Sequence, residues 1–503
     1  MYRLDWLSRW GNYAAEKTAI DAPESGRRLT YGQLHRAAAH LAAYLAGEHG
    51  LSRGDRVVIL ADNHPETFVL FGAAQKSGII LVPLNVRLTP REIAFLIGDA
   101  RPALIIVEDH YLPLLADIPE AERSPLLPYR DLIDFTAAHE NSAAPELPDP
   151  GLTDTDPVFI LYTSGTTGFP KGALYTHRML LWNSINTHLR LHLTGDDHTI
   201  TCLPLFHTGG WNVLSTPFLH HGASFSLTQK FDPDGILELL ERSRATLWMG
   251  VPTMLKLMAE SPRFESADLS SVRYFIVGGE AMPIPLIERW HEKGVPIRQG
   301  YGLTEVGPNI TSLHQDDAIR KIGSIGLPNF YVETMLADDD GNPVADGESG
   351  ELLLRGPMTT PGYWENPEAT AAAFHDDWFR TGDVVSRDAD GYLTVVDRKK
   401  NMYISGGENV YPAEVEHLLH QHPAILEAAV IGVPDPKWGE TGKAFIVVRP
   451  GETLDAEMVL DWCHGKLAKF KQPRHVAVLA ALPKGDTGKI DRKRLRSLHD
   501  GED

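Results

Sequence analysis

Apolar positions along the first 110 residues alternate between two textures. Residues 34–50, "LHRAAAHLAAYLAGEHG", repeat apolar positions three and four apart and stop at a glycine, which predicts an amphipathic helix. Residues 55–61, "DRVVILA", form a short β-branched run and predict a buried strand. A helix from about Pro65, a strand over 78–84, a helix opened by Thr89 and Pro90, and a strand over 103–109 continue the series. Strands and helices alternating at this spacing predict βαβ units around a parallel sheet. Residues 137–157, rich in Ala, Pro and Asp and without a period, read as a surface linker. A second αβ series follows, with strands near Phe159, Thr201, Ser224, Leu247, Tyr274 and Ile297.

The texture changes at about Ile322 to short strands and acidic turns such as "LADDDGNPVADGESGELLLRG". After "VVDRKK" at 395–400, amphipathic helices mix with strands such as "AAVIGV" and "KAFIVVR". The expected fold is α/β. A large N-terminal domain over 1–398 holds two doubly wound αβ subdomains (about 1–137 and 157–320) and a small β unit (about 321–398). A small α+β domain over 399–503 follows.

Charge removes some function classes. The chain of 503 residues has 67 acidic against 47 basic side chains, a net charge of −20, which disfavours a nucleic-acid surface. A small anionic ligand stays possible, because a local cationic cluster or a metal ion can dominate one pocket. Two cysteines, Cys202 and Cys463, exclude a disulfide framework and a cysteine-rich metal site. The N-terminus has no apolar leader core, and no apolar run approaches the roughly 18 residues of a membrane span. A cytoplasmic protein is expected; a homodimer is left open.

Residues 162–172, "YTSGTTGFPKG", lie between a predicted strand and a predicted helix. Backbone N–H groups and hydroxyls in such a loop can cradle phosphate oxygens, with Lys171 as a mobile cation. A Walker loop needs four residues between its glycine and a Gly-Lys-[Ser/Thr] ending. Gly168 is followed directly by Phe169-Pro170-Lys171-Gly172, so both the spacing and the terminal hydroxyl are wrong for a P-loop motor or switch.

With its companions in order, the loop resembles the acyl-activating (AMP-forming) superfamily of acyl-CoA synthetases, luciferases and peptide-synthetase adenylation domains. Those companions are "LPLFHTGG" (203–210), "GGE" (278–280), "QGYGLTE" (299–305), "RTGD" (380–383), "DRKKNMYISGGENVYPAEVE" (397–416) and "PKGDTGKIDR" (483–492). The resemblance spans nearly the whole chain. It implies attack of a carboxylate on the α-phosphorus of ATP, giving an acyl-adenylate and pyrophosphate, then thioester formation with CoA.

The resemblance also implies roles. Thr163, Ser164, Gly165, Thr166, Thr167, Gly168 and Lys171 bind the β- and γ-phosphates. Glu305 holds Mg²⁺, which takes hard oxygen ligands, and Thr304 meets the α-phosphate. Gly279, Glu280 and Ala281 lie against the adenine, to which Tyr301 offers a flat face, and Gln299, Gly300 and Gly302 also bind ATP or AMP. Asp383 and Arg398 hold the ribose. Lys489 bridges the substrate carboxylate and the α-phosphate. His207, Trp211, Asn212, Gly278 and Gly302 adjoin the acyl group, with Trp211 as a gate. Lys400 is the hinge of a mobile lid that next presents Ser405, Gly406, Gly407 and Trp438 to pantetheine, while Lys466, Lys469, Lys471 and Arg474 meet the CoA phosphates.

No aspartate in the "LPLFHTGG" motif is available to pair with an amino acid's ammonium, so a hydrophobic acid is expected, first a medium- or long-chain fatty acid. An aryl acid of the cinnamate or benzoate type is the alternative, as is transfer to a carrier-protein thiol. A nucleotide-binding regulator without catalysis is the competing class; intact Lys489, Glu305, Asp383 and Arg398 speak against it.

Overall fold

Alternate residues of the central strands enter two different cores. Val57, Ile59, Leu81, Leu104, Ile106, Phe159 and Leu161 join one apolar cluster, while Val58, Leu60, Ile80, Val82, Ile105, Val107 and Ile160 join another. That division follows from the two-residue period of a strand, and it explains why these segments read as unbroken apolar runs. The computed structural model describes residues 4–163, 170–279, 282–345, 347–405, 408–464, 466–467, 469–485 and 489–501. They divide into two compact units, residues 1–334 with 354–379, and residues 335–353 with 380–503.

Among the described residues, three sheets lie wholly within the first unit. The six-stranded sheet runs Leu126–Pro128, Leu104–Val107, Arg56–Leu60, Ile80–Pro83, Pro157–Thr163, Lys171–Thr176; its pairings are parallel except the last. A four-stranded sheet joins Arg27–Thr30 and Thr18–Ala22 to Ser224–Leu227 and His198–Thr201. The third orders Leu247–Gly250, Tyr274–Val277, Ile297–Tyr301, Thr311–Ser312 and Leu327–Pro328. The subdomain boundaries expected from sequence are corrected here. Strands from 157–176 complete the sheet of the first series, and strands from 18–30 complete one of the second. Pairing follows apolar faces, which local periodicity cannot assign to partners.

Helix starts follow their chemistry. Thr30 with Gln33 and Thr89 with Glu92 form reciprocal capping boxes at the helices Tyr31–Glu48 and Pro90–Ala100. Of the expected linker 137–157, residues 143–153 carry no regular structure, whereas 137–139 end the helix Tyr129–His139 and Pro157 opens a strand. In the second unit, Gly439–Val448 pairs antiparallel with Ile425–Asp435 and parallel with His475–Val478, and the helices Pro412–His420 and Ala456–Cys463 supply core residues on this sheet. The expected α+β character of this region is observed. No helix among the described residues is long and apolar enough to cross a membrane.

Candidate active site

In the first unit the parallel strands Tyr274–Val277 and Ile297–Tyr301 end side by side, with Val277 opposite Gln299. Their carboxyl ends lead into Gly278–Gly279 and into Gly302, Leu303, Thr304 and Glu305, the place where open α/β sheets bind ligands. Gly279 has φ +86°, a left-handed backbone that favours glycine. A Cβ at Gly302 would lie 2.1 Å from the Pro308 carbonyl oxygen, so no side chain fits there. Gln299 is buried and its Oε1 accepts from the Met282 N–H at 3.4 Å. Gly300 and Tyr301 pair with Ser312 and Thr311.

Glu305 sits in the short turn Thr304–Val306. Its Oε1 accepts from the Thr163 hydroxyl at 3.2 Å and from the Tyr363 hydroxyl at 3.1 Å. The Thr360 N–H donates to the Glu305 carbonyl at 2.7 Å. The Lys171 ammonium lies 5.3 Å from the centre of the Tyr363 ring. Burial, reinforced by the Glu305 charge, raises the Tyr363 phenol well above its ordinary pKa, so the hydroxyl stays a donor. The structure thus brings together Thr163, Lys171 and Glu305. It adds Tyr363 and Thr360, which the motif reading missed: they lie in "TTPGYWEN", a stretch with no periodic signal. Ser164, Gly165, Thr166, Thr167, Gly168, Glu280, Ala281, Gly406 and Gly407 lie outside the described residues.

Around His207 the chain makes a wide π-type turn over Gly209–Val213. The half-buried His207 ring packs 4.7 Å from Phe206, and its carbonyl accepts from the Gly210 N–H. Trp211, expected as a gate, is part of the core in this structure. It has no accessible surface, packs against Phe68, Phe71 and Phe159, and donates its indole N–H to the Leu205 carbonyl. Asn212 is likewise fully buried: its Nδ2 donates to Thr208 and its Oδ1 accepts from Thr216. Both residues brace the turn from inside. A small cavity of about 10 Å³ beside it is lined by Cys202, Leu203, Gly210, Leu214 and Met249 among others.

The second unit holds the other candidates. Asp383 is 2% exposed and accepts from Arg398 Nε at 2.6 Å across the strand pair Trp378–Arg387 and Leu393–Arg398. Glu351 holds the turn before it, pairing with Arg380 at 2.6 Å and accepting from the Gly382 N–H at 3.2 Å. Asp383→Ala leaves the Arg398 guanidinium without its buried partner, so a loss of about 1–3 kcal/mol is expected. The Michaelis constant for ATP should rise as well. Urea unfolding and initial rates check both; an unchanged ATP dependence would remove Asp383 from the nucleotide site.

Lys489 is exposed, and its carbonyl accepts from the Gly485 N–H at 2.8 Å. Ser405 is buried at the end of the strand Tyr403–Ser405, and Lys400 lies in the turn Lys399–Asn401. The Arg474 guanidinium stacks 4.8 Å from the Trp438 ring. Lys471 pairs with Glu414 at 2.7 Å and Lys466 lies over Trp462 at 2.9 Å, so both already have partners within the chain. Lys469 is exposed.

Residues 7–364 match the model of the AMP-binding enzyme family and residues 414–489 that of the AMP-binding enzyme C-terminal domain, and the chain belongs to this family. It is 39% identical over 491 residues to a feruloyl-CoA synthase of Amycolatopsis sp, covering 98% of each chain. It is 40% identical over 500 residues to an indoleacetate–CoA ligase of Aromatoleum aromaticum, covering 98% of this chain and 97% of the relative. A long-chain-fatty-acid–CoA ligase of Mycobacterium tuberculosis is 35% identical over 502 residues, with 99% of both chains covered. The structure of ATP-bound MatB from Rhodopseudomonas palustris matches with a TM-score of 0.90 at 33% identity, covering 99% of both chains. The protein is an AMP-forming acyl-CoA synthetase.

The oxygen donors present suit Mg²⁺. Magnesium is held by one or two carboxylates together with phosphate oxygens. Glu305 would supply the carboxylate and Thr163 a hydroxyl beside it. No hydrogen bond among the described residues engages Glu305 Oε2.

Proposed function

We propose that the acid is an aryl-substituted carboxylic acid of the size of ferulate or indoleacetate, and that CoA is the acceptor. The observation that carries this reading is the identity of 39–40% to ligases of those two acids, above the 35% to the fatty-acid ligase. A fatty acid is the second reading, favoured by the M. tuberculosis relative. Transfer to a carrier-protein thiol is the alternative to CoA. Two free, buried cysteines accord with a cytoplasmic setting.

In the reaction two anions must meet in line, so positioning and charge neutralisation dominate. The loop 163–171 holds the β- and γ-phosphates, and Thr304 donates to the α-phosphate. Asp383, kept in place by Arg398, accepts from the ribose hydroxyls. Mg²⁺, when bound, offsets phosphate charge. Lys489 lies between the substrate carboxylate and the α-phosphate, and withdraws when the lid turns about Lys400. The carboxylate oxygen forms its bond to the α-phosphorus as pyrophosphate leaves; the CoA sulfur then bonds to the acyl carbon and AMP departs.

Pyrophosphate release with ATP, CoA and a panel of ferulate, indoleacetate, laurate and palmitate, with product mass, tests this. The aryl acids should give the highest kcat/KM, by at least about tenfold, since a pocket discriminates by about 1–3 kcal/mol per methylene. A preference for palmitate overturns the aryl reading. Thioesters formed only on a carrier protein overturn CoA as acceptor.

A further inference from the structure

We infer that Tyr363 is a positioning residue that sets the separation between the Lys171 cation and the cation-binding carboxylate of Glu305. The inference deepens the proposed function and rests on its reading of Glu305 as the Mg²⁺ ligand. One side chain touches both partners: the hydroxyl donates to Glu305 Oε1 at 3.1 Å, and the ring lies 5.3 Å from the Lys171 ammonium. Cations within about 6 Å of a ring centre are drawn to its face. Carboxylates that hold metals are oriented by hydrogen-bond donors behind them. Here two hydroxyls, from Thr163 and Tyr363, fix Oε1 and so fix the direction in which Oε2 points.

Tyr363 is itself anchored. Its N–H donates to Thr370 Oγ1 at 2.9 Å. The Trp364 N–H donates to the Gly172 carbonyl at 2.7 Å, and the Leu174 N–H donates to the Gly362 carbonyl at 3.1 Å. The segment therefore lies along the strand Lys171–Thr176 that begins with Lys171 itself. The Trp364 indole N–H reaches the Asp99 carbonyl at 3.2 Å. Thr360, three residues before Tyr363, donates its N–H to the Glu305 carbonyl. Lys171 and Glu305, brought from separate sheets, are thus registered against one short rigid segment. A β,γ-phosphate pair held by the lysine and its cation held by the carboxylate need that spacing constant.

Tyr363→Phe keeps the ring under Lys171 and removes the hydroxyl. The Mg²⁺ concentration for half-maximal ATP-dependent rise in melting temperature should increase about tenfold, while the rise produced by ATP without metal stays the same. The kcat for adenylate formation should fall about 10- to 100-fold, with the KM for the acid unchanged. Tyr363→Leu also removes the ring, and the metal-free ATP effect should weaken too. An unchanged Mg²⁺ requirement in Tyr363→Phe, at any kcat, makes the residue merely structural and overturns the inference. If Glu305→Gln also leaves that requirement unchanged, the reading of Glu305 itself fails, a separate outcome. The melting temperature of each variant without ligand reports whether it is folded.

Discussion

Lys489→Ala lowers the rate of acyl-adenylate formation by about 10²- to 10³-fold, the usual cost of removing one preorganised group that stabilises transition-state charge. Conversion of a supplied acyl-adenylate to its CoA thioester stays near the parental rate. The asymmetry follows from the chemistry. Only the first step brings a carboxylate against a phosphate, so only that step needs a cation between them. Two neighbouring bases are already committed: Lys484 pairs with Glu427 at 2.6 Å and Arg492 with half-buried Glu416 at 2.8 Å. Lys489 is exposed and joins no ion pair among the described residues. Single-turnover measurement of each half-reaction separates the outcomes. Equal loss in both halves would mean that Lys489 serves the fold or CoA binding rather than adenylation.

Acidification from pH 7 to 5.5 should destabilise the first unit by about 5 kcal/mol, comparable with the whole stability of many domains. Burial lowers His177, His198 and His221 to about 4, and His220 to about 3 with added repulsion from His221 and His188. Their settings fit neutral rings. His198 lies between the hydroxyls of Ser224 and Ser226 at 2.8 and 2.9 Å, and Ser184 Oγ is 2.8 Å from His220 Nδ1. The folded-state values lie below the unfolded value of about 6.5. Stability is therefore complete above about pH 6.5 and is lost as pH falls toward 4, because only the unfolded chain takes up protons. Each histidine contributes a slope of about 1.4 kcal/mol per pH unit in that window. His64 works oppositely: burial lowers it, but the Glu108 hydrogen bond and charge outweigh that and raise it. Its contribution is present below about 6.5 and fades as pH rises through the raised value. Urea midpoints at pH 7.5 and 5.5 test the sum, and His177→Gln should flatten the slope by one proton. Equal midpoints at the two pH values would sink the argument.

How far the site was legible in the sequence differs residue by residue. Glu305 and Asp383 could be picked out because each sits in a short string whose neighbours carry the same resemblance. Trp211 looked equally well placed, four positions after His207, yet its side chain turns into the core formed with Phe68 and Phe159. A motif gives the order of residues along a turn. Which side of that turn meets solvent depends on helices and strands elsewhere in the chain, and the π-type turn at Gly209–Val213 changes the facing of every residue in it.

The amino-acid sequence by itself determined the family, the alternation of strands and helices, and the local caps, since each depends on residues within a few positions of one another. Only the tertiary structure decided which strands share a sheet, that Trp211 is core, and that Glu305 meets Thr163 and Tyr363, which lie 142 and 58 residues away. The physical reason is that hydrogen bonds and apolar contacts between distant segments depend on how sheets pair and pack. Periodicity, propensity and motif spacing carry no term for that pairing.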